Sequence, residues 1–226
     1  MRILAIETAL AAASACVFDG ARSETMAQES IAMSRGQDQA IVPLIDRVVA
    51  AAGGGVRSIE RIAVTVGPGS FTGIRIGISA ARAIGLALGV PVVGVSTLAA
   101  YAAPVVLDKS DGIVAAAIDA RHGRVFVAAF ANGRPVIAPR VSTPRDAVRA
   151  MGSGPLWLTG SSAAALAIEA WAIGISAEVV SDAAAPDISY VARIGIAADP
   201  QIAPPRPSYL RAPDVKPSQP IAAPAV

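Results

Sequence analysis

The pattern of this chain begins twice, and that constrains its fold more than any other feature. Ala5-Ile6-Glu7-Thr8-Ala9 aligns with Ala117-Ile118-Asp119-Ala120-Arg121. On the same offset Phe18 meets Phe130, and the Asp19-Gly20 turn meets Asn132-Gly133 one residue later. In each copy a short apolar run ends on an acid, and an Asp-Gly or Asn-Gly hairpin follows. A repeat of this size points to two similar lobes rather than one large core.

Apolar runs and turn residues fill in the first copy. Arg2 to Thr8, Ala13 to Phe18 and Ser23 to Gln28 read as three strands. A helix from Asp38 to Ala52 and a strand from Arg61 to Val66 follow, then a helix from Thr72 to Leu88 and a strand from Pro91 to Val95. Gly89 is the expected stop of the second helix. In the second copy strands are expected at Ile113 to Asp119, Arg124 to Phe130 and Pro135 to Val141. A helix at Arg145 to Met151, a strand at Leu156 to Thr159 and helices at Ser161 to Trp171 and Asp187 to Ala198 complete it. Strands mixed with crossover helices imply an α/β class with mixed sheets. The expected division is a lobe over 1–105, a second over 106–199 and a Pro-rich tail over 200–226. Two duplicated β-β-β-α-β-α lobes facing each other resemble the plan of actin-like ATPases and sugar kinases.

Composition removes several function classes. The formal net charge is +2 and no run of like charge occurs, which argues against a general nucleic-acid binder. One Cys and one His exclude a disulfide framework and the usual Cys/His zinc site. Met1-Arg2-Ile3-Leu4 leads directly into a strand pattern, so no signal peptide is expected. The long uncharged run from Ala83 to Leu107 is broken by Gly89-Val90-Pro91, Ser96-Thr97 and Pro104, so no membrane span is expected. A cytoplasmic setting follows from these readings. Charged residues make up only 16% of the chain, which hints at a surface covered by a partner.

Three groups of residues could carry chemistry or binding. Glu7-Thr8 and Asp119-Ala120 stand where a carboxylate could hold Mg²⁺ through water; equally, each acid could simply terminate its strand. The loop Gly67-Pro68-Gly69-Ser70-Phe71-Thr72-Gly73 could cradle an anion at a helix N-terminus, or could be a tight turn capped by Ser70 or Thr72. Glu7, Thr8, Ser70 and Arg75 are therefore the candidate nucleotide-binding residues. The third group is a ridge of minimal side chains at Gly73, Gly77, Ala81, Gly85 and Gly89. Interior glycines cost about 0.5–1 kcal/mol each relative to Ala, so another backbone is expected to pack there. With Ile41, Leu44, Ile45, Val48, Ile74 and Ile78, this ridge gives the two helices apolar character beyond one stripe. A partner interface over Ile41, Leu44, Ile45, Val48, Gly73, Ile74, Gly77, Ile78 and Ala81 is expected, with burial inside the lobe as the alternative. Cys16 reads as a small core residue and His122 as a surface one.

Several islands of sequence go further. Gly67-Pro68-Gly69-Ser70-Phe71-Thr72-Gly73-Ile74-Arg75-Ile76-Gly77 and Gly89-Val90-Pro91-Val92-Val93-Gly94-Val95-Ser96-Thr97-Leu98 closely resemble the signature of the bacterial TsaB (YeaZ) family. Ile3-Leu4-Ala5-Ile6-Glu7-Thr8, Asp119-Ala120-Arg121 with Gly123, and Tyr209-Leu210-Arg211-Ala212-Pro213 are similar to its other motifs. The resemblance implies an actin-like fold and a non-catalytic scaffold that pairs with its paralogue TsaD. With the ATPase TsaE, that pair transfers threonylcarbamoyl to tRNA adenosine beside the anticodon. It also implies no cofactor or metal in this chain, a homodimer when it is alone, and only indirect or weak contact with tRNA. The resemblance places the metal-binding histidines in TsaD; here Gln37 and Gln39 stand where many relatives have His and Glu. A stand-alone actin-like kinase and a homodimeric structural protein are the competing readings.

Overall fold

The structure is a computed structural model in which residues 1–211 are described. The first lobe opens with the strands β1 (Arg2–Glu7), β2 (Ala12–Asp19) and β3 (Glu24–Ala32). The helix α1 (Gln37–Ala52), the strand β4 (Arg61–Gly67), the helix α2 (Phe71–Leu88) and the strand β5 (Val92–Ser96) follow. The helix α3 (Thr97–Asp108) crosses to the second lobe. That lobe comprises β6 (Ile113–Asp119), β7 (Val125–Ala131), β8 (Arg134–Ser142), α4 (Pro144–Met151), β9 (Leu156–Thr159), α5 (Ala163–Ala172) and β10 (Ala177–Ser181). The helix α6 (Ile188–Ala197) is the last regular element.

The two sheets repeat one plan. Their strand orders are β3-β2-β1-β4-β5 and β8-β7-β6-β9-β10, with antiparallel pairs in the opening meander and parallel pairs after it. The duplication read from Glu7 and Asp119 is therefore present in three dimensions, and the fold is the α/β, actin-like plan with mixed sheets.

Strand alternation decides what covers each face. In the first lobe Leu4, Ile6, Ile62 and Val64 point toward α1 and α2, while Ile3, Ala5, Ala63 and Val93 point toward α6. Helix α6 follows the second lobe in sequence but covers the first lobe's sheet. Arg61 secures it: one guanidinium nitrogen donates to the carbonyls of Gly195, Ile196 and Ala198 at 3.0, 2.9 and 2.9 Å. These are carbonyls at a helix end, which have no partner within the helix. In the second lobe, Ala115, Ala117 and Leu158 pack with residues of α4 and α5, and Val114, Ala116 and Ile118 pack with Leu98 and Tyr101 of α3. The 106–199 segment expected as the second lobe thus gives its last helix to the first.

Most element boundaries agree with the sequence pattern to within a residue or two. Gly89 ends α2 at φ 69°, and the Ser70 side chain caps its start by accepting from the Gly73 N–H at 3.3 Å. Strand β3 runs on to Ala32, four residues past the expected end, and two elements were not expected at all. Ser96-Thr97, read as part of a loop, starts α3: the Ser96 hydroxyl accepts from the Ala99 N–H at 3.4 Å. Pro104 lies inside that helix rather than ending it. The strand β10 was not anticipated. Helix α2 is long and apolar enough to cross a bilayer by length and composition, but its inner stripe rests on its own sheet. Of the Pro-rich tail, 200–211 forms turns and irregular chain, and 212–226, including Ala212 and Pro213, lies outside the described residues.

Candidate functional site

The nine residues expected at a partner interface do not reach the surface. Ile41, Leu44, Ile45, Val48, Ile74, Ile78 and Ala81 are each at most 5% exposed, and Gly73 and Gly77 are buried with them. They form the inner faces of α1 and α2, against Leu4, Ile6 and Val64 of the sheet. An apolar stripe marks a buried face without saying what buries it; here the sheet of the same lobe does. The glycine ridge has the same explanation. A Cβ on Gly73 would overlap the Thr8 carbonyl oxygen, and one on Gly77 would lie 2.5 Å from the Thr8 hydroxyl and 3.3 Å from Val64. Gly85 is pressed likewise against Val92, while Gly89 faces open space and serves as the left-handed cap. The backbone expected to pack on the ridge is thus the end of β1.

The opposite faces of the same helices are open. Val42 is 60% exposed and Leu86 86%. Ala83 and Ala87 are exposed beside Leu86, with Ile76, Ala80 and Ile84 half-buried toward α1. The charged flank of α2 is partly occupied: Arg82 donates to the Pro205 carbonyl at 2.8 Å, and Arg75 donates to the Tyr209 hydroxyl at 2.9 Å. Val42 and Leu86 are not among the expected interface residues because they interrupt the stripe rather than belong to it. The signal available was their position on the far side of two helices already rich in inward-facing residues.

The second region is a cleft of about 610 Å³ between the lobes. Its walls include the turn Ala9–Ala11, the loop Pro68–Thr72, the turn Asp119–Arg121 and the segment Ser208–Arg211. Of the candidate nucleotide residues, only Ser70 lines it. Glu7 is fully buried: its Oε1 accepts from the N–H groups of Ala9 and Leu10 at 2.6 and 3.1 Å, and its Oε2 has no hydrogen-bond partner. Thr65 and Thr97 hydroxyls are also buried without partners. Burial pushes the Glu7 carboxyl up to about 7, opposed in part by the nearby Thr65 hydroxyl and the two amides. This carboxylate is sealed away from the cleft. Thr8 is also buried, and its hydroxyl donates to the Gly73 carbonyl at 2.7 Å. Ser70 caps α2, and Arg75 lies over the Phe71 ring with its guanidinium carbon 3.7 Å from the centroid. The four candidates therefore do not converge on one ligand position.

Asp119 occupies the equivalent place in the second lobe but is exposed. Its Oδ1 accepts from the Arg121 N–H at 2.8 Å, as Glu7 accepts from Ala9. Both acids thus act as strand terminators, satisfying an amide two residues on. His122 is exposed in the following turn at φ 53°. Among the described residues, no three His, Cys, Asp or Glu side chains gather as a metal-holding group.

Comparison with known proteins places this architecture. The TsaD family model, described as tRNA N6-adenosine threonylcarbamoyltransferase, matches residues 30–196. The Escherichia coli tRNA threonylcarbamoyladenosine biosynthesis protein TsaB is 37% identical over 130 residues, covering 58% of this chain and 55% of that protein. The chain thus spans about half the length of that curated relative. An uncharacterized protein of Mycobacterium tuberculosis is 30% identical over 215 residues, covering 95% of this chain and 94% of that one. A crystal structure of an uncharacterized Pseudomonas aeruginosa protein with similarity to peptidase YeaZ superposes with a TM-score of 0.72 at 25% identity, over 93% of this chain and 99% of that one. The duplicated lobes, the signature loop that caps α2 and these matches agree: the chain belongs to the TsaB (YeaZ) family, within the wider group that the TsaD model describes.

Proposed function

We propose that this chain is a non-catalytic subunit in tRNA threonylcarbamoyladenosine biosynthesis, pairing with a TsaD-like catalytic paralogue through the outer faces of α1 and α2. The observation that carries the reading is the contrast between its two candidate sites. Around the cleft, only Ser70 of the four candidates lines it, and Glu7, Thr8, Ser70 and Arg75 are each committed to the chain's own structure. On the helices, Val42 and Leu86 stand exposed, Leu86 with Ala83 and Ala87 beside it, as apolar side chains that two further helices could cover. The residue set moves outward from the sequence-based one, but the two helices stay the same.

In this reading the chain holds the catalytic paralogue in its active form, and a TsaE-like ATPase acts on the pair. Contact with tRNA is indirect or weak, and the setting is the cytoplasm. Without its partner the same apolar face pairs two copies of the chain. The stand-alone kinase reading is disfavoured by the sealing of Glu7, because a carboxylate that must hold Mg²⁺ needs access to the nucleotide.

Reconstitution tests the proposal. TsaD and TsaE from the same source are assayed for threonylcarbamoyl transfer to tRNA with and without this chain. Modification that depends on the chain supports the subunit role. Modification at equal rate without it rejects that role, and ATP turnover by the purified chain alone would favour the kinase.

A further inference from the structure

Residues 199–211 contain no helix or strand, yet they are tied to both lobes. The segment leaves α6 and crosses the C-terminal ends of β5 and β4, where the Gly94 N–H donates to Ala203 at 2.9 Å and the Ser208 N–H donates to Val66 at 2.8 Å. Two glycines make room for this path. A Cβ on Gly94 would lie 2.9 Å from the Pro204 carbonyl oxygen, and one on Gly67 would lie 3.0 Å from that of Ser208. Real side chains almost never approach a backbone oxygen so closely, so both positions favour glycine with the strap in place.

Beyond Ser208 the segment meets the mouth of the cleft. The Tyr209 ring stacks on Phe71 at 4.7 Å between centroids, and its hydroxyl accepts from Arg75. Leu210 packs against the second lobe's cluster that includes Ile118 and Phe126, and Arg211 donates to the Ala120 carbonyl at 2.8 Å. Tyr209 therefore holds the first lobe, while Leu210 and Arg211 hold the second, three residues in a row. Ala120 is in the turn that follows β6, and Ala9, in the equivalent turn after β1, accepts from the Ser70 N–H at 2.7 Å.

We propose that residues 208–211 are an interlobe latch, which closes the mouth of the cleft by bridging the α2 start to the Ala120 turn. Latched, the cleft admits only what fits its present volume. Released, the lobes stay joined by α3, the α6 packing and the Leu10 contact with the second lobe's cluster, and the cleft widens. The latch does not depend on the partner-docking face: its contacts lie on the flank of α2 and in the cleft.

The test measures the distance across the cleft. Spin labels are placed on the exposed positions 38 and 124 by Asp38→Cys and Arg124→Cys. The native Cys16 is buried, and its thiol is pushed up to about 12, so it stays unlabelled. In the background of Leu210→Ala with Arg211→Ala, the distance distribution lengthens or broadens relative to the native latch. Hydrogen exchange at Ala9 to Ala11 and at Ala120 quickens by roughly tenfold, the scale of one lost hydrogen bond. A distribution that superimposes on the native one, with faster exchange confined to 203–211, overturns the latch and leaves a tail merely packed on the surface. If the double variant does not fold, Arg211→Ala alone removes the bond to Ala120, and the same two outcomes decide.

Discussion

Glu7 and Asp119 are the same device placed in two different environments. Each ends the first strand of its lobe, and each accepts the amide two residues on, at 2.6 Å and 2.8 Å. Asp119 is open to solvent, whereas Glu7 is fully buried, with one oxygen left unpaired. The difference arises because the two lobes are duplicated but not covered alike. Glu7 shares its strand face with Ile3 and Ala5, which α6 covers; Asp119 shares its face with Ala115 and Ala117, which α4 and α5 cover without reaching the acid itself. Equivalent residues in a repeat therefore inherit position, while their chemistry is set by what the rest of the chain lays over them. An acid at a strand end that would suit a metal when open becomes a proton-holding group when sealed.

The largest expected effect tests the coverage itself. Ile78 is 4% exposed on the inner face of α2, and Ile78→Asp would bury an unpaired carboxylate against the sheet. A loss of about 4 kcal/mol or more is expected, sufficient to unfold the first lobe of a marginally stable protein. Chemical denaturation followed by circular dichroism measures it. A fold as stable as the native one would mean that the α2 inner face is not a core.

Glu7→Gln comes next and separates the two acids. The folded-state value of Glu7 is raised from 4.5 to about 7, so between these values the folded chain holds more protons than the unfolded one. Stability from this group is full below pH 4.5, falls as pH rises through the window, and is lost by the time both states are ionised above about 7. The cost at pH 8 is about 3 kcal/mol. Glu7→Gln is expected to recover most of it at pH 8, to change little at pH 4.5, and to flatten the stability profile between them. Urea titrations at pH 5 and 8 check this, and a gain equal at both values would contradict the burial of Glu7.

Asp119→Asn completes the pair with the smallest change. The amide oxygen of Asn can still accept from Arg121, and the site is exposed, so a shift under about 1 kcal/mol is expected. A loss matching a buried acid would show that the second turn is also sealed.

Much of this organisation is legible in the residues. The repeat, the strand-ending acids and the Gly89 stop follow from local patterns that the fold obeys. Helix α3 was not legible because Ser96-Thr97 serves equally as a loop or as a cap, and Pro104 reads as a breaker; the spacing of Leu98, Tyr101 and Val105 was the countersignal. Burial of Glu7 was hidden because it depends on long-range packing, including that of α6 on the Ile3 and Ala5 face of β1. The proposed interface has no such local signature. Pattern identifies α1 and α2 as unusually apolar, but the same stripe describes a face that meets its own sheet and a face that meets a partner. Only the packing of Gly73 and Gly77 against Thr8 shows which face is spent.

The central claim is that the outer, not the inner, face of α1 and α2 is the docking surface, and the affinity of Leu86→Asp for the TsaD-like partner tests it most directly. Leu86 is 86% exposed, so the variant is expected to keep its native stability within about 0.5 kcal/mol. Calorimetric titration should show binding weakened by roughly tenfold or more, as expected for a charge placed in an apolar contact. Native affinity in this folded variant, and again in Val42→Asp, would contradict the assignment of that face.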